Sequence, residues 1–110
     1  ETYDIGSEQD LLYPNIWPPA GVHDSFQTTM SLFYALCYDA ELVILDAISI
    51  GLGLPIHSLR KLHVTQINEL RLSHYPEVDR ANSANATRIA AHTDFGTITL
   101  LFQDNVGGLG

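Results

Sequence analysis

His92-Thr93-Asp94 is the triplet whose residue types and spacing point most directly to chemistry. In an extended segment, residues i and i+2 face the same way, so an imidazole and a carboxylate stand side by side. One nitrogen and one oxygen donor make up most of the two-histidine, one-carboxylate set that binds non-haem Fe(II) and leaves positions open for cosubstrate and oxygen. The triplet also has an ordinary reading, the end of a strand running into a polar turn. Taken alone, it does not separate the two. Other chemistries have less to stand on. The sequence contains no G-x-S-x-G, no P-loop and no dinucleotide-binding glycine pattern. Cys37 is the single cysteine, which excludes an internal disulfide and a cysteine-built zinc site. It lies within an apolar helical stripe and reads as a core thiol.

The elements that must position the triplet are legible in outline. Residues 1–23 carry loop chemistry: Gly6-Ser7, Tyr13-Pro14-Asn15 and Pro18-Pro19 break helices and central strands. Tyr13 and Trp17 are the side chains expected to pin this stretch to a core. From about Asp24 to Ile50, Phe26, Met30, Phe33, Cys37, Ala40, Ile44 and Ala47 recur in steps of four and three, the signature of one helix face. Asp24 or Ser25 is expected to cap its first free N–H groups, and Gly51 and Gly53 supply an exit before Pro55. Phe26, Met30, Phe33, Cys37 and Ile44 are expected to face the strands, with Asp39, Glu41 and Asp46 in water. A short helix over about Ile56 to Leu62 closes the second segment, 24–62.

Strand-like chemistry begins after His63, in the segment 63–110. Gln66 to Tyr75 alternates until Pro76, and Arg88-Ile89-Ala90-Ala91 and Thr97 to Gln103 are runs of β-branched and apolar residues. Asn82-Ser83-Ala84-Asn85 reads as a surface turn and Gly107-Gly108 as a hairpin turn. Asn85-Ala86-Thr87 fits a glycosylation sequon and is read as a chance match, no signal peptide being visible.

Composition bounds the partners. The 110 residues hold 5 Lys+Arg against 13 Asp+Glu, a formal net charge of −8. No lysine or arginine precedes Arg60. A phosphate-tracking surface needs clustered cations, so nucleic acid is not an expected partner. No uninterrupted apolar run is long enough to span a bilayer, so no membrane partner is expected either. The size is that of one domain at most, and a cytoplasmic location is expected. Both ends read as cut from a larger protein.

The run from Arg88 through His92-Thr93-Asp94-Phe95-Gly96-Thr97-Ile98-Thr99-Leu100-Leu101-Phe102-Gln103-Asp104 to Val106-Gly107-Gly108-Leu109 closely resembles the metal-site segment of the isopenicillin-N-synthase-like Fe(II)- and 2-oxoglutarate-dependent oxygenases. Leu70-Arg71-Leu72-Ser73-His74-Tyr75-Pro76 resembles that family's N-x-Y-P strand. Asn15-Ile16-Trp17-Pro18-Pro19 and the long helix ending Gly51-Leu52-Gly53-Leu54-Pro55 also look like it, so the resemblance covers essentially the whole chain. It implies an α+β fold in which the long helix packs on part of a double-stranded β-helix, or jelly roll, truncated here.

It further implies Fe(II) and 2-oxoglutarate as cofactor and cosubstrate, with O2 and a small organic molecule hydroxylated, desaturated or cyclised. His92 and Asp94 match the first two iron ligands. Tyr75 matches the tyrosine that helps hold 2-oxoglutarate, and Ser73 stands where the motif usually has asparagine. Arg71, two residues earlier on the same strand, is a candidate substrate contact, with a solvated or packing arginine as the alternative. His23, His57, His63 and His74 match no ligand position, and His74 is expected to be structural or exposed. The family's third ligand, a distal histidine, and its Arg-x-Ser anchor for 2-oxoglutarate lie several tens of residues beyond the triplet, past Gly110. The expected consequences are a chain inactive by itself and self-association of its open sheet. The rival expectation is a non-catalytic interaction module.

Overall fold

The computed structural model describes residues 1–77 and 89–106. The expected turn at 82–85, the sequon at 85–87, Arg88 and the turn at 107–108 lie outside them. In chain order the elements are strand β1 (Thr2–Ile5), helix α1 (Phe26–Gly51), a 3-10 turn (Arg60–Leu62) and strand β2 (Leu70–Ser73). The described residues form a partial α+β arrangement: one long helix and one two-stranded antiparallel sheet.

Helix α1 has 26 residues, about 39 Å at 1.5 Å per residue. Its expected capping side chains do not cap it. Ser25 makes no side-chain bond to the first turn, and Asp24 Oδ1 instead accepts from Gly21 N at 2.8 Å. The C-terminus closes as the glycines foretell. Gly53 takes φ +70, its N–H donates to Ile50 O at 3.0 Å, and Leu54 N donates to Ser49 O at 2.9 Å. That pair of bonds is the Schellman stop, and only a residue at ease in the left-handed region makes it without strain.

The helix is rotated from its expected setting. Phe26, Met30, Phe33, Cys37 and Ile44 are half-buried, Ala40 and Ala47 are exposed, and Leu45 and Ser49 are fully enclosed. Glu41 and Asp46, expected in water, are 8% and 9% exposed. The reason is the connection from α1 to β2, which folds back along the helix and brings polar partners with it. Tyr34 Oη donates to the carbonyls of Gln66 (3.0 Å) and Asn68 (3.1 Å), and Tyr38 Oη to that of His63 (3.1 Å). Asn68 Nδ2 donates to Glu41 Oε2 at 2.6 Å. Asp46 receives Arg60 Nη2 on one oxygen and His57 Nδ1, 2.8 Å away, on the other. A periodicity count treats carboxylates as solvent-facing, but directed partners, one for Glu41 and two for Asp46, offset their desolvation. The same connection replaces the expected helix at 56–62 with hydrogen-bonded turns and the single 3-10 turn.

Arg60, whose hydrogen bond is the main cause, and His57 hold the Asp46 carboxyl below the ordinary carboxylate range. The unfolded chain therefore takes up this proton first. The stability the network contributes is complete above about pH 4 and is lost as pH falls through the lower folded value. We expect Asp46→Asn to lower the melting temperature at neutral pH by several degrees. It should also flatten the acid limb of stability, measured as urea midpoint against pH; an unchanged acid limb would assign that limb to other groups.

The opening stretch, expected as loop, contains β1, whose partner is β2 in the register Thr2↔Ser73, Tyr3↔Leu72, Asp4↔Arg71 and Ile5↔Leu70. Ile5 is buried and Tyr3, Leu70 and Leu72 are half-buried, while Thr2, Asp4, Arg71 and Ser73 are exposed, the alternation of a sheet with one covered face. Trp17 does pin its segment, standing edge-on to Phe26 with ring centroids 6.2 Å apart. Tyr13 does not, remaining 79% exposed. Residues 89–106 form no strand despite their composition. β-propensity alone makes no ladder, and neither β1 nor β2 pairs with them across its open edge. This segment is tied to the helix by an edge-on contact of Phe102 with Phe33, centroids 5.2 Å apart, and to the turn after it by a hydrogen bond between His63 and Thr97.

Candidate metal centre

His92 and Asp94 lie on an irregular segment, both exposed, yet their side chains converge. His92 Nε2 is 3.3 Å from Asp94 Oδ1. The other imidazole nitrogen, Nδ1, is 2.9 Å from Ala90 O. A carbonyl oxygen only accepts, so Nδ1 carries a hydrogen, and Nε2 is the ring nitrogen turned to the carboxylate. That facing pair is satisfied either by a hydrogen on Nε2 shared with Asp94 or by a metal ion that both atoms ligate. Asp94 is also held from behind, its Oδ2 accepting from the Thr99 hydroxyl. Each donor is thus oriented by its second contact, the arrangement that fixes metal ligands before the ion arrives. Two ligands about 2.1 Å from one ion and at right angles stand about 3 Å apart, so this pair fits a divalent first-row metal. Among the described residues no group of three or more His, Cys, Asp or Glu gathers around one point. The pair supplies two donors.

The other predicted site residues sit on or after β2. Arg71 is engaged: its Nε donates to Asp4 Oδ1 at 2.7 Å and its Nη2 to Asp4 Oδ2 at 3.1 Å, while Nη2 lies 2.8 Å from Glu69. The hydrogen bond from Arg71 lowers the Asp4 pKa, and the same pair raises that of the guanidinium. Ser73 shares the exposed face of β2 and pairs with Thr2. Tyr75, two residues on, is 50% exposed. His74 is exposed, with its ring 3.2 Å from Glu1 Oε2. The described sheet has two strands, so no strand pairing carries 89–106 next to β2. The structure joins His92 to Asp94, and Arg71 to Asp4.

Residue typing passed over Thr99, His63 and Thr97. The available signal was Thr97-x-Thr99, two hydroxyls at the i, i+2 spacing that puts them on one side of an extended segment. Thr99 reaches Asp94, and Thr97 reaches His63.

No protein-family model matches this chain, and no solved structure matches it. Curated proteins do. The chain is 47% identical over 110 residues to the proline hydroxylase buaE of Petromyces alliaceus, covering 99% of this chain and 34% of that protein. It is 47% identical over 110 residues to the 2-oxoglutarate-Fe(II) type oxidoreductase ppzD of Metarhizium majus, covering 99% and 32%. It is 42% identical over 109 residues to the 2-oxoglutarate-dependent dioxygenase gloF of Glarea lozoyensis, covering 99% and 33%. The chain spans about a third of the length of these relatives. Similar along its whole length to segments of proteins named 2-oxoglutarate-Fe(II) type oxidoreductase and 2-oxoglutarate-dependent dioxygenase, the chain belongs, as a segment, to the Fe(II)- and 2-oxoglutarate-dependent oxygenase family.

Proposed function

We propose that this segment contributes two iron ligands, His92 and Asp94, to a non-haem dioxygenase that oxidises a small organic substrate with 2-oxoglutarate as cosubstrate. The observation that carries the reading is the facing of His92 Nε2 and Asp94 Oδ1, each fixed from behind by Ala90 O and the Thr99 hydroxyl. Bound Fe(II), with O2 and 2-oxoglutarate, supplies the oxidising chemistry. The work of the chain itself is orientation. The Ala90 carbonyl engages His92 Nδ1 and so turns Nε2 toward Asp94, and Thr99 keeps one Asp94 oxygen occupied so that the other is presented singly. In this reading the Tyr75 hydroxyl and Ser73 contribute to the 2-oxoglutarate site. Arg71 reaches substrate only by exchanging its bonds to Asp4.

The jelly roll belongs to this proposal as well, with Thr97 to Gln103 pairing into it once neighbouring strands are supplied. Its support is the β-branched composition of that run and the helix-to-segment ties already present. Large apolar side chains stand open to solvent: Leu11 is 92%, Phe95 111% and Val106 88% exposed. Such surface favours self-association of the 110-residue chain. No helix of the described residues is long and apolar enough to cross a membrane.

The test is succinate formation from 2-oxoglutarate, with Fe(II) and ascorbate, by a polypeptide of the relatives' full length carrying this segment. We expect turnover that His92→Ala and Asp94→Ala each abolish. The 110-residue chain alone should form no succinate, because its described residues hold two donors and no third. Turnover by that chain, or full-length turnover that survives both substitutions, would overturn the assignment.

A further inference from the structure

We propose that His63 is a positioning residue for the metal-ligand segment, acting through Thr97. The proposal deepens the reading of His92 and Asp94 as ligands and rests on it. His63 is built as an anchor. It ends the 3-10 turn, where its N–H donates to Arg60 O at 3.0 Å. Its carbonyl accepts from Tyr38 Oη at 3.1 Å, which ties it to α1. Its ring Nδ1 lies 2.9 Å from Leu59 O. Since that oxygen only accepts, Nδ1 carries the proton and Nε2 is left as an acceptor. Nε2 then receives the Thr97 hydroxyl at 2.8 Å.

Thr97 is two residues before Thr99, and the Thr99 hydroxyl donates to Asp94. A side chain fixed on the helix-and-turn scaffold therefore holds the stretch whose next hydroxyl orients a ligand. The need for such a tether is plain, because residues 89–106 have no sheet ladder to hold them among the described residues. The geometry thus gives a defined role to a histidine that ligates nothing. Its tautomer makes Thr97 a donor, and the Thr97 bond sets where the 94–99 turn sits.

The experiment uses the 110-residue chain and two readouts, amide hydrogen exchange along the backbone and binding of Mn(II) followed by electron paramagnetic resonance. Thr97→Val removes the hydroxyl at nearly constant shape, His63→Leu removes the acceptor, and Thr97→Ser retains the bond. Thr97→Val and His63→Leu should each speed exchange over 92–99, leave α1 exchange unchanged and weaken Mn(II) binding about fivefold, the loss of one hydrogen bond. The double variant should be no worse than His63→Leu alone, because that change already removes the Thr97 bond together with the one to Leu59. Thr97→Ser should restore exchange and binding. Unchanged exchange over 92–99 in both single variants, or additive losses in the double variant, would overturn the positioning role. Failure of the ligand reading looks different: Mn(II) binding would then persist in His92→Ala, whatever the exchange data show.

Discussion

His92→Ala removes the Mn(II) binding of the 110-residue chain, and Asp94→Ala does the same. This is the largest effect expected of any single substitution here. In the proposed assignment the site has two protein donors on an exposed segment, so the unmodified chain should bind a divalent ion only weakly. Removing one donor leaves a solvated carboxylate or a lone imidazole, and neither competes effectively with water for the ion. Asp94→Asn preserves shape but withdraws the charge and should also lose most of the affinity. Thr99→Val should cost less, since it disturbs the orientation of a ligand and not the ligand itself. Titration with Mn(II), read from the signal of the free ion, measures all four. Binding that survives both alanine variants would refute the donor assignment. Tight stoichiometric binding by the unmodified chain would reveal a third donor.

Leu45→Ala is expected to unfold much of the chain at room temperature. Leu45 is 0% exposed, and among the described residues the fully enclosed apolar side chains are Leu45 and Ile5. A buried Leu→Ala change costs about 2–5 kcal/mol through lost transfer energy and the cavity left behind. Ordinary domains have only about 5–15 kcal/mol in total, and so small an enclosed core suggests the lower end of that range. Leu45→Met nearly conserves volume and should cost under about 1.5 kcal/mol. Urea unfolding followed by far-UV circular dichroism separates the two variants, and equal midpoints would show that Leu45 is not a centre of packing.

By itself the sequence determined the features whose physics is local. The helix was legible because apolar steps of four and three survive any tertiary setting, and its end because Gly53 makes a left-handed stop cheap. The convergence of His92 and Asp94 was legible because two side chains at i and i+2 are close enough in the chain to meet without a partner strand, even on an irregular segment. The family was legible in contiguous motifs. Tertiary structure alone decided matters set by residues far apart in the chain. The pairing of Thr2–Ile5 with Leu70–Ser73 turned an apparent loop into a strand and committed Arg71 to Asp4. The fold-back of residues 57–68 turned the helix and buried Glu41 and Asp46, by bringing Asn68, His57 and Arg60 to carboxylates that hydropathy assigns to water. The same fold-back brought His63 to Thr97 across 34 positions, a contact no local spacing encodes. Common to all three is a directed contact whose partner lies far along the chain, so its position is a property of the folded chain; for Glu41 and Asp46 that partner also offsets the cost of desolvation.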